Sequence, residues 1–155
     1  MTHHRYSSGG FTLVELIIVV SIIGLLSAIA IPNFVRMQRN ARIGRTAAEM
    51  RNLSVGFVGY KVAYGQYPPD SHEALPPGME EFIKPSIWTD GAPVGGNYNW
   101  EGPDGYPYAG ISIFPPDAFP ADEQKALDGM LDNGDLGNGK FRIGTNGRPT
   151  YIIEE

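Results

Sequence analysis

The chain has 155 residues, a formal net charge of −5 and no cysteine. That length holds one small domain besides an anchor, and the acidic balance disfavours a general nucleic-acid binder, which would carry a basic surface. Without thiols, disulfides, thiolate metal centres and cysteine nucleophiles are excluded.

The first element is a polar leader that ends at Gly9-Gly10-Phe11-Thr12-Leu13-Val14-Glu15. Beyond Glu15 no charged residue occurs from Leu16 to Val35. At about 1.5 Å per residue this run reaches about 30 Å as a helix, the thickness of a bilayer's hydrocarbon core. The junction resembles the processing site of type IV prepilins and type II secretion pseudopilins, and Phe11-Thr12-Leu13-Val14-Glu15-Leu16 fits that consensus without a departure. The resemblance implies cleavage by a prepilin peptidase after Gly10, methylation of the new N-terminal Phe11, and an assembly role for Glu15. It also implies a single-pass protein of the bacterial inner membrane with a periplasmic C-terminal domain. Its partners would be membrane lipid, an inner-membrane assembly platform, other pseudopilins and copies of itself in a filament.

Two rival readings use the same residues. Ala28-Ile29-Ala30 is a passable secretory cleavage site, but Glu15 stands where a signal peptide wants positive charge, and the apolar run continues past the site to Val35. A plain anchor is allowed by length alone; the match beginning at Phe11 favours the pilin-like reading. Orientation carries a conflict. Arg36, Arg39, Arg42, Arg45 and Arg51 follow the span and only Arg5 precedes it, so the positive-inside rule opposes the topology that the resemblance implies.

A carboxylate in hydrocarbon is costly unless paired, which marks Glu15 as functional. It lies about one helical turn from Phe11, near enough for an acid to favour the helix N-terminus. The resemblance implies a further role, pairing with the Phe11 amine of a neighbouring subunit.

Pro32 removes one helical hydrogen bond and is expected to kink the axis. The helical pattern then resumes. Ile43, Ala47, Met50, Leu53, Phe57, Tyr60 and Tyr64 recur at three- and four-residue spacings and form one apolar face. Gly56 and Gly59 weaken the helix by about 1 kcal/mol each relative to Ala, which predicts an irregular C-terminal end. Gly65, with Pro68 and Pro69 behind it, is the stop signal. The arginines at 36, 39, 42 and 45 spread around the helix and predict a solvated or headgroup-facing collar able to meet acids of neighbouring subunits.

Gly and Pro fill 19 of the 56 positions from Gly65 to Pro120, yet Tyr67, Phe82, Trp88, Tyr98, Trp100, Tyr106, Tyr108, Phe114 and Phe119 are spread among them. Disordered segments are poor in aromatics, so this predicts an ordered, loop-rich layer with strands at Asn97–Trp100 and Tyr108–Phe114. Tyr64-Gly65-Gln66-Tyr67-Pro68 resembles the segment after the long helix in major pseudopilins, and Pro69-Asp70-Ser71-His72 departs from it. Ala121–Leu131 predicts a short helix capped by Asp122, with Leu127, Met130 and Leu131 inward. Phe141–Ile143 and Thr150–Ile153 around Asn146-Gly147 predict a hairpin, with Pro149 at an edge position.

The expected fold is α+β and type IV pilin-like: a long N-terminal helix, membrane-spanning in its first half, on a small antiparallel sheet. Expected segments are a leader at 1–10, an assembly helix at 11–35, its amphipathic continuation at 36–64 and a globular part at 65–155. Asp128, Asp132, Asp135 and Asn138, around Gly134 and Gly137, form an oxygen-rich turn suited to calcium. The resemblance to major pseudopilins implies calcium in this region, while Asp, Asn and Gly are also ordinary turn formers. No catalytic constellation is present: His3 and His4 lie in the leader, His72 stands alone, and neither a phosphate loop nor a nucleophile motif occurs. The expectation is a structural subunit of a type II secretion pseudopilus. The alternatives are a type IV pilin or competence pseudopilin, or a membrane-anchored periplasmic binding or catalytic domain.

Overall fold

The computed structural model describes residues 10–155. The leader readings at 1–9, His3, His4 and Arg5 among them, lie outside the described residues. Helix α1 covers Leu13–Tyr64 with Pro32 inside it, and two units divide the chain, 1–38 and 39–155.

In the first unit every large apolar side chain from Leu13 to Val35 is exposed. The helix satisfies its own backbone and leaves an apolar surface on all sides, the pattern of a segment that needs lipid or other helices around it.

In the second unit α1 is one-faced. Ile43, Thr46, Ala47, Met50, Leu53, Gly56 and Phe57 are buried. The predicted stripe therefore holds as far as Phe57. Tyr60 is half-buried and Tyr64 is exposed, both packing on Phe82 at ring-centroid distances of 5.6 and 6.1 Å. The helix does not become irregular at its glycines. A Cβ on Gly56 would fall 2.1 Å from Ile83 Cγ2, so Gly56 is where the chain after α1 comes closest to the helix. Gly65, at φ +77°, ends α1 by donating its amide to the Lys61 carbonyl at 2.8 Å.

Two short helical pieces come next that periodicity did not reveal, a 3-10 turn at Met79–Glu81 and helix α2 at Pro85–Thr89. Strand β1 is Asn97–Glu101, β2 is Ala109–Phe114, helix α3 is Ala121–Leu131, β3 is Phe141–Ile143 and β4 is Pro149–Glu154. The strands form one antiparallel sheet in the order β1-β2-β4-β3. Pro149 is thus the first residue of an inner strand, a position where a missing donor is tolerated, and not part of an edge strand. Both edges are obstructed: Ser71 bridges Trp100 on β1, and the Ile143 amide of β3 donates to the Leu136 carbonyl at 2.9 Å. Such cover prevents edge-to-edge pairing.

The aromatic residues form the core between α1 and the sheet. Phe57 stacks on Trp100 with centroids 3.8 Å apart, and Trp88 lies 5.8 Å from Phe57. Each buried polar tip has an acceptor: Trp100 Nε1 donates to the Pro68 carbonyl, Trp88 Nε1 to the Glu73 carbonyl, and the Tyr98 hydroxyl to Glu49. The loops are therefore ordered by rings whose donors reach specific carbonyls.

On the other face of the sheet Glu101 is fully buried. It accepts from the Tyr108 hydroxyl at 2.9 Å, Asn146 Nδ2 at 2.6 Å and Thr150 Oγ1 at 3.3 Å, with Arg148 at 3.8 Å. These donors compensate a carboxylate that burial alone would penalise, and they fasten the hairpin turn to β1.

Asp122 does not cap α3. Pro120 is the N-cap, without a side-chain hydrogen bond, and Asp122 instead meets Arg39 at 2.5 Å. Met130 is exposed and Leu131 half-buried, so of the predicted inward residues only Leu127 is fully inside.

Two outcomes are expected from this packing. Gly56→Ala should destabilise by about 1–3 kcal/mol through overpacking against Ile83, whereas Gly44→Ala, with nothing near its added methyl, should stabilise by about 0.5–1 kcal/mol; thermal unfolding of the full chain in detergent compares them. The Lys61 ammonium, with help from the Tyr67 hydroxyl, holds the Glu154 carboxyl below its ordinary value of 4.5. A depressed carboxylate contributes stability above its unfolded pKa and loses it as pH falls through the folded one. Lys61→Met should accordingly lower Tm at neutral pH, and its gap from the wild type should shrink as pH drops below 4.5.

Candidate functional site

At the start of α1, Thr12 and Glu15 cap each other. The Glu15 amide donates to Thr12 Oγ1 at 3.2 Å, while Glu15 Oε2 accepts from both the Thr12 amide and hydroxyl at 2.8 Å. This is a reciprocal capping box, which satisfies helix-terminal donors that have no intrahelical partner. Its signal, Thr-x-x-Glu, stands in the sequence, but the membrane and macrodipole arguments for Glu15 do not reveal it. Gly10 and Phe11 stand just outside the box, both exposed, with nothing within 4 Å of a Cβ built on Gly10.

The arginines divide between different contacts. Arg39 lies 3.1 Å from Glu123 through Nε, outside hydrogen-bond geometry, and bonds Asp122 through Nη2. Arg42 reaches Glu123 at 4.0 Å, Arg45 pairs with Glu49 at 2.8 Å, and Arg51 donates to the Met130 carbonyl. Arg39 and Arg42 thus fasten α3 to α1 within the chain. The collar anticipated from the sequence is in large part internal.

The four oxygen-bearing residues of the acidic turn are placed unevenly. Asp128, on the last turn of α3, is fully buried, and neither of its oxygens has a hydrogen-bond partner. Burial pushes its carboxyl up, the Gly134 and Asn133 amides oppose the rise, and Asp132 and Asp135 add to it. Asp132 Oδ2 accepts from the Lys140 amide at 2.5 Å. Asp135 accepts from the Gly137 amide at 3.1 Å and from Asn138 Nδ2, and Asn133 Nδ2 donates to Asn138 Oδ1 at 2.9 Å. Of the four, Asp128 alone is buried with both oxygens unpartnered. Among the described residues no three acid, histidine or cysteine side chains converge as a metal site.

The segment that holds the capped acid and most of the exposed apolar helix is also one that matches a known family. A family model described as the prokaryotic N-terminal methylation motif matches residues 5–31. This chain carries that motif and is similar to proteins named as a type IV major pilin and as type II secretion system core protein G. It is 50% identical over 44 residues to the type IV major pilin protein PilA of Myxococcus xanthus, covering 28% of this chain and 20% of that protein. It is 29% identical over 94 residues to the type II secretion system core protein G of Escherichia coli, covering 60% of this chain and 59% of that protein. The core protein G of Pectobacterium carotovorum is 26% identical over 145 residues, or 93% of this chain and 80% of its own length. The chain thus spans about a fifth of the Myxococcus pilin and about three fifths of the Escherichia coli protein. No solved structure matches the chain.

Removing the cap should fray the first turn of α1. Thr12→Ala is expected to cost about 0.5–2 kcal/mol of local helix stability, read as faster amide hydrogen exchange at Leu13 to Leu16 in micelles with Ile43 to Phe57 unchanged.

Proposed function

We propose that this protein is a structural subunit of a type II secretion pseudopilus. In this reading it is inserted in the inner membrane as a precursor, cut after Gly10 by a prepilin peptidase, methylated at Phe11, and assembled with its own copies and other pseudopilins. One observation carries the proposal: an apolar helix exposed all round, Leu13 to Val35, whose N-terminus presents an acid. Each Leu, Ile or Val fully removed from water contributes about 1.5–3 kcal/mol. That is the driving force for insertion into lipid, and helices packed on one another retain the same cover when they leave it.

Glu15 has a specific part in this reading. In the single chain Thr12 engages only its Oε2. Cleavage after Gly10 would give Phe11 a charged α-amine, and the Glu15 carboxylate of another copy is the acceptor for it where hydrocarbon makes an unpaired charge costly. The pair would set the axial position of each incoming subunit. The relatives named core protein G support a pseudopilus over a pilus by the length they match, 93% of this chain in one case.

Intact mass and N-terminal sequencing of the membrane-purified protein test the processing step. A methylated Phe11 is expected, whereas an intact Met1 or an end at Ile31 would replace the reading with a plain anchor or a secreted domain. Glu15→Ala should be processed normally yet lose filament incorporation, measured by shearing and sedimentation; undiminished filament yield would remove Glu15 from the mechanism.

A further inference from the structure

We propose that the chain Asn133–Asn138–Asp135 closes the loop after α3 by hydrogen bonds in place of the calcium ion that the resemblance to major pseudopilins implies. Asn138 is central. Its amide nitrogen donates to Asp135 Oδ2, and its oxygen accepts from Asn133 Nδ2 at 2.9 Å. The Asn133 oxygen accepts from the Asp135 amide at 2.7 Å, and the Asn138 amide donates to the Asp135 carbonyl at 3.0 Å. Each member therefore holds another in place.

This arrangement competes with a cation. Calcium takes six to eight oxygen ligands, yet the Asn138 side chain turns its amide N–H toward the Asp135 carboxylate, placing a donor where a shared ion would need an oxygen. Turning the Asn138 oxygen toward such an ion would break both of its side-chain bonds. Asp132 is likewise occupied, since Lys140 donates its backbone amide to Oδ2 and Gly139 passes so close that a Cβ there would fall 1.9 Å from that oxygen. Asn133, Asp135 and Asn138 are thereby satisfied within the turn, while the buried Asp128 carboxylate takes no part in this network.

The test is thermal unfolding of the full chain in detergent, monitored by circular dichroism in EDTA and in about 5 mM calcium chloride, above the weakest extracellular calcium sites. Wild-type Tm should be the same in both. Asn138→Asp replaces the donor with a second carboxylate; its Tm should fall by about 4 °C or more in EDTA and recover in calcium. Should that variant fail to fold, Asn133→Ala, which removes one donor and adds no charge, should lower Tm equally in both buffers. A wild-type Tm that rises by about 4 °C or more with calcium overturns the proposal, as does an Asn133→Ala variant as stable as the wild type.

Discussion

One helix must satisfy two environments, and the rest of the structure depends on that constraint. From Leu13 to Val35 the side chains of α1 are apolar on every side and exposed. From Ile43 to Phe57 only one face is buried. An α-helix can do both because its backbone bonds are internal, so neither lipid nor neighbouring helices need supply partners. A strand could not leave its sheet in this way. The surface chemistry therefore changes along one element, from apolar on all sides to apolar on one face.

Magnitudes decide what holds the second unit together. Exposed ion pairs such as Arg45–Glu49 contribute about 0–1 kcal/mol. Truncating a buried aromatic costs about 3–5 kcal/mol, and Phe57, Tyr98 and Trp100 are all fully inside. The aromatics therefore dominate the energy, while polar groups select the geometry. Arg39 and Arg42 fix α3 beside α1, and Glu101 fixes the hairpin turn against β1. Gly56 matters to both, because without a side chain it lets the Ile83 segment close the core against the helix.

Elements defined by periodicity or punctuation were legible in the sequence. α1, α3 and the terminal hairpin have strong repeats, a glycine stop or an Asn-Gly turn, and β1 and β2 lie within a residue of expectation. What escaped depended on tertiary partners. The turn at Met79 and helix α2 are too short to show a period, and they form around buried Met79 and Trp88. Asp122 has the character of a cap, yet its partner is Arg39, distant in sequence. Gly56 reads as a weakness because sequence weighs a glycine by helix propensity, whereas its value is close approach. The acidic turn was legible in composition only; which oxygens carry donors depends on how Asn133 and Asn138 orient.

The arginines after the span bear on orientation in a way their ion pairs do not alter. The positive-inside rule counts the Lys and Arg that flank a span in the sequence, so Arg39 and Arg42 count whatever they bind in the folded unit. The positive-inside rule, however, governs short flanking loops, and long domains translocate largely regardless of charge. The unit from Arg39 to Glu155, beyond the apolar run, is such a domain. A periplasmic domain is therefore compatible with arginines that would dictate the opposite for a short loop. In the folded unit the arginines have a structural use: Asp122 and Glu123 on α3 take up two of them, and charges that bear on orientation in the sequence become the contact that orients a helix.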